Sequence, residues 1–215
     1  MNPTPLHIPL FPLGTVLFPS GLLPLQIFEV RYLDMIKRCQ REGTPFGVVC
    51  LTQGSEVQRP ETGETFEAVG TLADLVQVDE VQPGLLYILC RGRQRFHIDR
   101  TEKLRHGLWV ADAMPLDSDE PTPIPPELQG IPHALNLLTQ QIREQQPQIG
   151  QLTQEWPAFS AEATSPWQDS GWVANRWAEL LPLPVGTKQN LLTLDSPLVR
   201  LELVGDALEQ LGIAF

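Results

Sequence analysis

The chain has 215 residues, of which 42% are hydrophobic and 19% charged. This is enough to bury the core of one large or two small globular domains. Its formal net charge of -11 argues against nucleic-acid binders, which carry a basic face. The acidic excess is uneven, because residues 1–115 hold 11 Lys/Arg against 13 Asp/Glu whereas residues 116–215 hold 4 against 13.

The first feature along the chain is an apolar stretch, "PLHIPLFPLGTVLFPSGLLPLQIF", without a charged side chain. A secretory signal needs a basic leader before its apolar run, but the first basic residue here is Arg31. A membrane span needs about 20 apolar residues in helical form. Four prolines prevent such a helix: Pro9, Pro12, Pro19 and Pro24. We therefore expect this stretch to belong to a soluble fold.

The stretch predicts two short extended pieces, "LHIPLF" at an edge where proline is tolerated, and "TVLFP". From Phe28 to Cys39 the apolar residues recur at helical spacing, which predicts a helix. Gly43 and Pro45 end it.

Further strands are predicted as far as residue 114. The continuous run "FGVVCL" indicates a strand covered on both faces, and "FEAVGTLADLVQVDEV", "LLYILCRGRQRFHI" and "GLWVADAM" follow it. At least six strands and one helix indicate a small mixed barrel in residues 1–115.

The second half is predicted to be helical. Residues 116–132 are rich in proline and acids, which indicates a linker or a long ordered crossing. Helical periodicity then covers much of 133–215. Ser196 followed by Pro197 marks a helix start, and we expect four residues of that helix to face inward: Leu201, Val204, Leu208 and Leu211.

Catalytic and metal-binding motifs are missing from the sequence. "GTK" lacks the upstream glycine of a phosphate-binding loop, no serine sits in a G-x-S-x-G elbow, and the four histidines lack metal-ligand spacing. We therefore expect no catalytic residue, metal or cofactor. Cys39, Cys50 and Cys90 lie in apolar contexts, which favours reduced, buried thiols in the cytoplasm.

One basic segment, "CRGRQRFHIDRTEKLRH", is a candidate binding site. Arg91, Arg93 and Arg95 alternate, so an extended strand would place them on one face. Such a face could bind an acidic peptide, a carboxylate or a phosphate. The alternative is a solvated face whose arginines pair with Asp99 and Glu102.

Tryptophan is concentrated in residues 156–177, which hold four of the five in the chain. Helical position predicts burial for Trp177. Trp156 and Trp167, in a proline-bearing loop, and the neighbouring Trp172 could instead form an exposed aromatic patch for peptide contact. Core packing of the same rings is the alternative.

Several motifs resemble the N-terminal, substrate-binding domain of Lon ATP-dependent proteases, which is shared with cereblon. The opening "PLFPLGTVLFPSGLLPLQIFEVRYLDMI" is similar to the family's P-L-F-P-L, V-L-F-P and L-P-L-x-I-F-E-x-R-Y elements, with Val30 where the family often has Pro. "VGTLA", "GRQRF" and "AELLPLPVGTKQNLLTLDSPLVRLELV" resemble later elements of the same domain. The resemblance covers nearly the whole chain.

The resemblance implies an α+β fold, with a PUA-like β-rich pseudo-barrel subdomain followed by a helical bundle. It implies a stand-alone member without the ATPase and protease domains, which recognises unfolded polypeptide segments or a protein partner and is not an enzyme. It also implies that most matching residues, Arg31 among them, are structural. An RNA-binding PUA-like protein and a small hydrolase or peptidase-associated enzyme are the alternatives. The sequence leaves the oligomeric state open.

Overall fold

The structure is a computed structural model that describes residues 4–54, 63–145 and 152–215. The strands are β1 (Leu6–Leu13), β2 (Leu22–Ile27), β3 (Phe46–Gln53), β4 (Thr65–Gln82), β5 (Leu85–Lys103) and β6 (Trp109–Pro115). The helices are α1 (Val30–Glu42), α2 (Gly130–Gln145), α3 (Ser170–Leu180), α4 (Val185–Thr193) and α5 (Pro197–Gln210), with 3-10 turns at Pro126–Leu128 and Pro166–Gln168. In the described ranges, no helix is long and apolar enough to cross a membrane.

Contacts divide the chain into two compact units. The first contains Met1–Ser118 and Pro184–Leu192, and the second contains Asp119–Leu183 and Thr193–Phe215. Helix α4 therefore belongs mainly to the β-rich unit, although its sequence lies among the helices of the other unit. The predicted α+β class is confirmed.

The sheet of the first unit closes on itself. Its strand order is β2-β5-β4-β3-β1-β6, and β6 also pairs with β5. Among the strand pairs of the described residues, only β1 and β3 run parallel, and the others are antiparallel. Five strands thus form a ring, and β2 is added to β5 outside that ring.

The prediction of a short extended segment at residues 15–19 is wrong. Residues 15–19, "TVLFP", form no strand, and the strand lies at Leu22–Ile27 instead. The physical reason is a close crossing, in which Gly92 donates to the carbonyl of Gly21 and accepts from the amide of Ser20, both at 2.8 Å. This crossing holds the chain against β5 before β2 begins.

Two hydrophobic clusters build the first unit. The smaller lies inside the ring and takes side chains from all five strands: Ile8, Leu10, Val49, Leu72, Phe96, Ala111 and Ala113. The larger lies between the barrel and α1, whose Tyr32 stacks on Phe11 with ring centroids 4.1 Å apart. Gly43 ends α1 in the left-handed conformation at φ 64°, as the sequence predicts.

A buried ionic network joins the start of α1 to the barrel. Arg31, only 4% exposed, donates to the carbonyl of Gly107 at 2.8 Å, and its Nη2 lies 3.5 Å from Glu64. Glu64 also accepts from Lys103 at 3.0 Å and from the Trp109 indole at 2.6 Å. Burial by itself raises the pKa of Glu64, but the hydrogen bonds from Trp109 and Lys103 and the charge of Arg31 outweigh it, so the net pKa is lowered.

The second unit is built around a buried arginine of α5. Arg200, 1% exposed, donates to Asp119 at 2.5 and 3.3 Å, to Asn175 at 3.0 Å and to the carbonyl of Leu194 at 2.6 Å. Asp119 lies within the proline-rich segment 116–132, so this part of the segment is ordered. The Ser196 cap is confirmed, since its side chain accepts from the Val199 amide. Leu211 is the exception to the predicted inward face: it lies after the last turn of α5 and is 47% exposed.

Replacing Gly92 should destabilise the fold. A Cβ atom at this position would lie 2.2 Å from the carbonyl oxygen of Phe18, a backbone atom that cannot rotate away. We expect Gly92→Ala to lower the free energy of unfolding by about 2 kcal/mol, as overpacking does, measured by urea denaturation. Gly186→Ala is the control, because a Cβ there meets nothing within 4 Å. Equal stability of the two variants would contradict the close crossing.

Replacing Glu64 should weaken the fold in a pH-dependent way. Because folding lowers the pKa of Glu64, its ionised form stabilises the fold, and this contribution is lost as the pH falls below the ordinary value of 4.5. We expect Glu64→Gln to lower the free energy of unfolding by about 3 kcal/mol at pH 7, since Lys103 and Arg31 lose a buried charged partner. The difference in the free energy of unfolding between this variant and the parent chain should become smaller as the pH falls towards 3.5.

Urea unfolding at the two pH values measures this difference. Glu80→Gln, on an exposed position of β4, is the control and should change stability by less than about 0.5 kcal/mol. A difference between Glu64→Gln and the parent that is independent of pH would show that the charge of Glu64 does not carry the effect.

Candidate functional site

The outer edge of β2 is the first component of the candidate site. β2 pairs antiparallel with β5, and within the described residues no strand pairs with its other edge. Proline cannot donate to a ladder and is tolerated at such edges, which explains how Pro24 fits in this strand. An open edge offers backbone groups to an incoming extended chain, and in β2 these are the groups of the residues other than Pro24, which supplies no donor.

Exposed apolar side chains lie next to β2 along the chain and on its partner strand. Phe28 and Val30, directly after β2, are 54% and 72% exposed, and Tyr87 on β5 is 40% exposed. Tyr87 lies opposite Gln26 and accepts a hydrogen bond from its amide at 2.6 Å. We call Pro24, Phe28, Val30 and Tyr87 the β2 surface.

A slot of about 260 Å³ opens beside β2. The strand residues from Pro24 onward form one side, and Phe11, Leu13 and Tyr32 form its apolar base. The slot is large enough for an apolar side chain of a ligand, whose backbone could lie along the edge of β2. The arrangement can bind an extended apolar chain, but it presents no nucleophile or acid–base pair.

The sequence pattern does not predict this surface. Helical spacing places Phe28 on the apolar stripe of α1, but the helix begins at Val30, with Glu29 as its N-cap. The available signal was a run of apolar residues too rich in proline to be a helix, "LLPLQIF". Exposure of Phe28 depends on where β2 ends, which periodicity does not reveal.

The three arginines of the basic segment do not form one exposed face. Arg91 is half-buried, Arg93 is exposed and pairs with Asp74 at 3.3 Å, and Arg95 is buried. A bulge separates them, because between the Thr71–Arg95 and Ala73–Gly92 pairs one residue of β4 lies opposite two residues of β5. The side chain of Arg95 donates to the carbonyl of Leu192 at 2.8 Å. The side chain of Arg93 therefore pairs with Asp74 of β4 rather than with the expected Asp99 or Glu102.

Three tryptophans of the second unit come together, as a packed cluster. Trp172 lies 4.9 Å from Trp167 and 5.6 Å from Trp156 between ring centroids, with edge-to-face geometry. Trp167 is 1% exposed and donates from its indole to the carbonyl of Pro157. The prediction that Trp167 belongs to an exposed aromatic patch is wrong, because its ring is buried. Trp156 and Trp172 are half-buried.

The cysteines are unsuited to chemistry. Cys39, Cys50 and Cys90 are free and buried. Burial raises the pKa of Cys90 to about 12, so its thiol stays protonated at neutral pH. In the described part of the chain, no three His, Cys, Asp or Glu side chains converge as metal ligands would.

Solved structures of the same fold exist. The Lon N-terminal domain protein from Xanthomonas campestris is 29% identical, with a TM-score of 0.66, and the match covers 93% of this chain and 96% of that one. The N-terminal domain of the Mycobacterium avium complex Lon protease shares the fold, with a TM-score of 0.59 at 15% identity and the same coverage of both chains.

Longer proteases also match the chain. The Lon protease of Flavobacterium johnsoniae is 23% identical over 192 residues, which is 89% of this chain and 22% of the protease. The Lon protease of Anaeromyxobacter dehalogenans is 23% identical over 207 residues, 96% of this chain and 23% of that protease. The chain thus spans less than a quarter of the length of these relatives.

The family model of the ATP-dependent protease La (LON) substrate-binding domain matches residues 7–210. The close crossing at Gly92 and the buried Arg31 and Arg200 lie within the motifs that carry the resemblance. The chain therefore belongs to the LON substrate-binding domain family.

Proposed function

We propose that the chain is a non-catalytic recognition module for polypeptides, and that the β2 surface is where it binds them. The observation that carries the proposal is the open edge of β2 beside exposed Phe28 and Val30. Backbone pairing to an edge strand provides affinity that does not depend on sequence, and apolar contacts favour unfolded segments. The family is defined by substrate binding, which supports the same conclusion.

The finer role that we propose is that of an adaptor or chaperone-like binder, acting in the reducing cytoplasm. Free, buried thiols suit such a compartment. This role concerns binding alone, because the chain covers less than a quarter of the length of its protease relatives.

Nucleic acid is a poorer candidate ligand for this protein than a polypeptide. RNA binding draws its affinity from lysines and arginines that contact phosphates. In the basic segment Arg95 is buried and Arg93 is paired with Asp74, so the predicted basic face is broken up. A labelled RNA that bound with a steep salt dependence at low micromolar protein would favour this alternative instead.

Removing the apolar groups of the β2 surface should weaken polypeptide binding. We expect Phe28→Ser and Val30→Ser each to weaken binding about tenfold, because each removes roughly 1.4 kcal/mol of apolar contact. Fluorescence anisotropy of labelled, reduced and carboxymethylated α-lactalbumin, a permanently unfolded protein, measures the affinity.

The controls are matched apolar residues of α5. Leu203→Ser and Val199→Ser remove side chains that are 44% and 41% exposed, far along the sequence from β2. They should leave the affinity unchanged. If the parent chain does not bind the unfolded protein, the proposed function is wrong. If all four variants weaken binding equally, the β2 surface is wrong.

A further inference from the structure

Helix α5 has a second apolar side, which faces away from the core of its unit. The inward side carries Leu201, Val204 and Leu208, and all three are fully buried. On the outward side, Val199 and Leu203 are 41% and 44% exposed. Side chains four residues apart form a ridge along a helix. These two residues therefore form an exposed apolar ridge that lies outside the packed core.

A row of carboxylates runs beside this ridge. Glu202, Asp206 and Glu209 are exposed, and their spacings of four and three residues place them one above another along the helix. None of the three has an ion-pair partner among the residues that the structure describes. The only basic residue of α5 is Arg200, which is 1% exposed and paired with Asp119. The outward side of α5 is therefore an apolar ridge beside uncompensated negative charge.

This arrangement of charge is unfavourable for the helix by itself. Like charges three and four residues apart repel one another and destabilise a helix. Glu209 also lies in the last turn of α5, where the negative end of the helix dipole favours a cation, and no basic residue stands in that turn. Cations placed over the row would relieve both the repulsion and the contact with the dipole.

The chemistry of this side selects a partner that is both cationic and apolar. The carboxylates would repel the phosphates of RNA and the head groups of anionic membranes. A second copy of α5 would bring two such rows together, and like charges across an interface are unfavourable. The ridge suits another helix, because the side-chain ridges of one helix pack into the grooves of the next. An amphipathic helix with Lys or Arg beside its apolar stripe meets both requirements.

We propose that α5 docks a cationic amphipathic helix of a partner protein. The docking side, which we call the α5 surface, consists of Val199, Glu202, Leu203, Asp206 and Glu209. Apolar side chains of the partner cover the ridge, and its Lys or Arg side chains pair with the carboxylates. The row from Glu202 to Glu209 is about 10 Å long, so a partner helix of about three turns covers it. The chain would then hold an unfolded polypeptide at β2 and a folded partner at α5, as an adaptor does.

NMR titration of the full ¹⁵N-labelled chain tests the proposal. The probe is acetyl-LKKLLKLLKKLLKL-amide, which as a helix has leucines on one side and lysines on the other. We expect it to shift the backbone amide signals of residues 199–209, and to bind more weakly as the salt concentration rises. Two altered peptides should bind at least about tenfold more weakly. One has glutamate in place of every lysine, and the other has proline in place of two central leucines, which prevents the helix.

A matched pair of triple variants separates the α5 surface from the general charge of the unit. The first variant neutralises the row on α5: Glu202→Gln, Asp206→Asn and Glu209→Gln. The second neutralises three exposed acids of the same unit outside α5: Glu127→Gln, Glu144→Gln and Glu162→Gln. The change in net charge is the same in both, but only the first variant removes the ion pairs. We expect it to weaken binding of the cationic peptide about tenfold, and the second variant to weaken it less than about twofold.

Urea denaturation of the α5 variant gives an independent measurement. Because neutralising the row removes the repulsion between like charges, this variant should resist urea at least as well as the parent chain. Acids that stabilised the fold would give the opposite result, a lower midpoint of unfolding. Loss of binding without loss of stability would therefore assign the carboxylates to a partner.

Three results would overturn the proposal. Equal loss of binding in both triple variants would show that general charge alone attracts the peptide. Equal affinity for the proline-containing peptide would rule out a helix as the ligand. Sedimentation that showed a dimer of the parent chain, and none of the α5 variant, would identify a second copy as the occupant.

The α5 surface and the β2 surface can be tested separately. Carboxymethylation adds carboxylates to α-lactalbumin, so the acids of α5 should repel this probe. Val199→Ser and Leu203→Ser should therefore weaken binding of the cationic peptide and leave binding of unfolded α-lactalbumin unchanged. Phe28→Ser should have the reverse effect. Failure of α-lactalbumin to bind would count against the β2 surface alone, and failure of the cationic peptide against the α5 surface alone.

Discussion

The structure depends on the length of β5. Its 19 residues pair with β4 along most of that length, with β2 at its beginning and with β6 at its end. No shorter strand could both close the ring with β6 and carry β2 beside it. Because β2 is added outside the ring, it keeps one open edge. The candidate site is therefore a consequence of how the barrel closes.

Closure also decides which side chains are available for binding. Bulges let a long strand follow a curved sheet, and each one changes the alternation of inward and outward residues. In β5 the bulge after Gly92 leaves Arg93 exposed and Arg95 buried. In β4 the register shifts around Val76 and Val81 accompany two exposed valines. The bulges that let the barrel close thus accompany the burial of Arg95 and the exposure of Val76 and Val81.

Buried arginines in both units donate hydrogen bonds to backbone carbonyls of segments distant from the strands and helices that carry them. Arg31 donates to the carbonyl of Gly107, Arg95 to that of Leu192, and Arg200 to that of Leu194. A guanidinium has five donors in a rigid fork, so it can hold a loop carbonyl and a carboxylate together. These cations are used within the fold, which leaves fewer for an anionic ligand.

The sequence predicts those elements that local pattern alone determines. The helix α1, its end at Gly43, the strand from Phe46 and the cap at Ser196 all follow from periodicity and from turn and cap residues. The failures share a different cause. The position of β2, the exposure of Phe28 and the burial of Arg95 depend on pairing between strands distant in sequence. Trp167 differs from Trp156 and Trp172 only through tertiary packing, which composition cannot distinguish.

The residues that match the family pattern and the residues proposed to bind have different physical roles. Gly92, Arg31 and Arg200 make a close crossing or buried bonds that hold this chain in its fold. Val30 departs from the pattern, which often has proline there. Proline suits the first position of a helix, and the valine found there instead is 72% exposed. Under the proposed function, the exposed Val30 side chain therefore contributes to the β2 surface rather than to the packing of the fold.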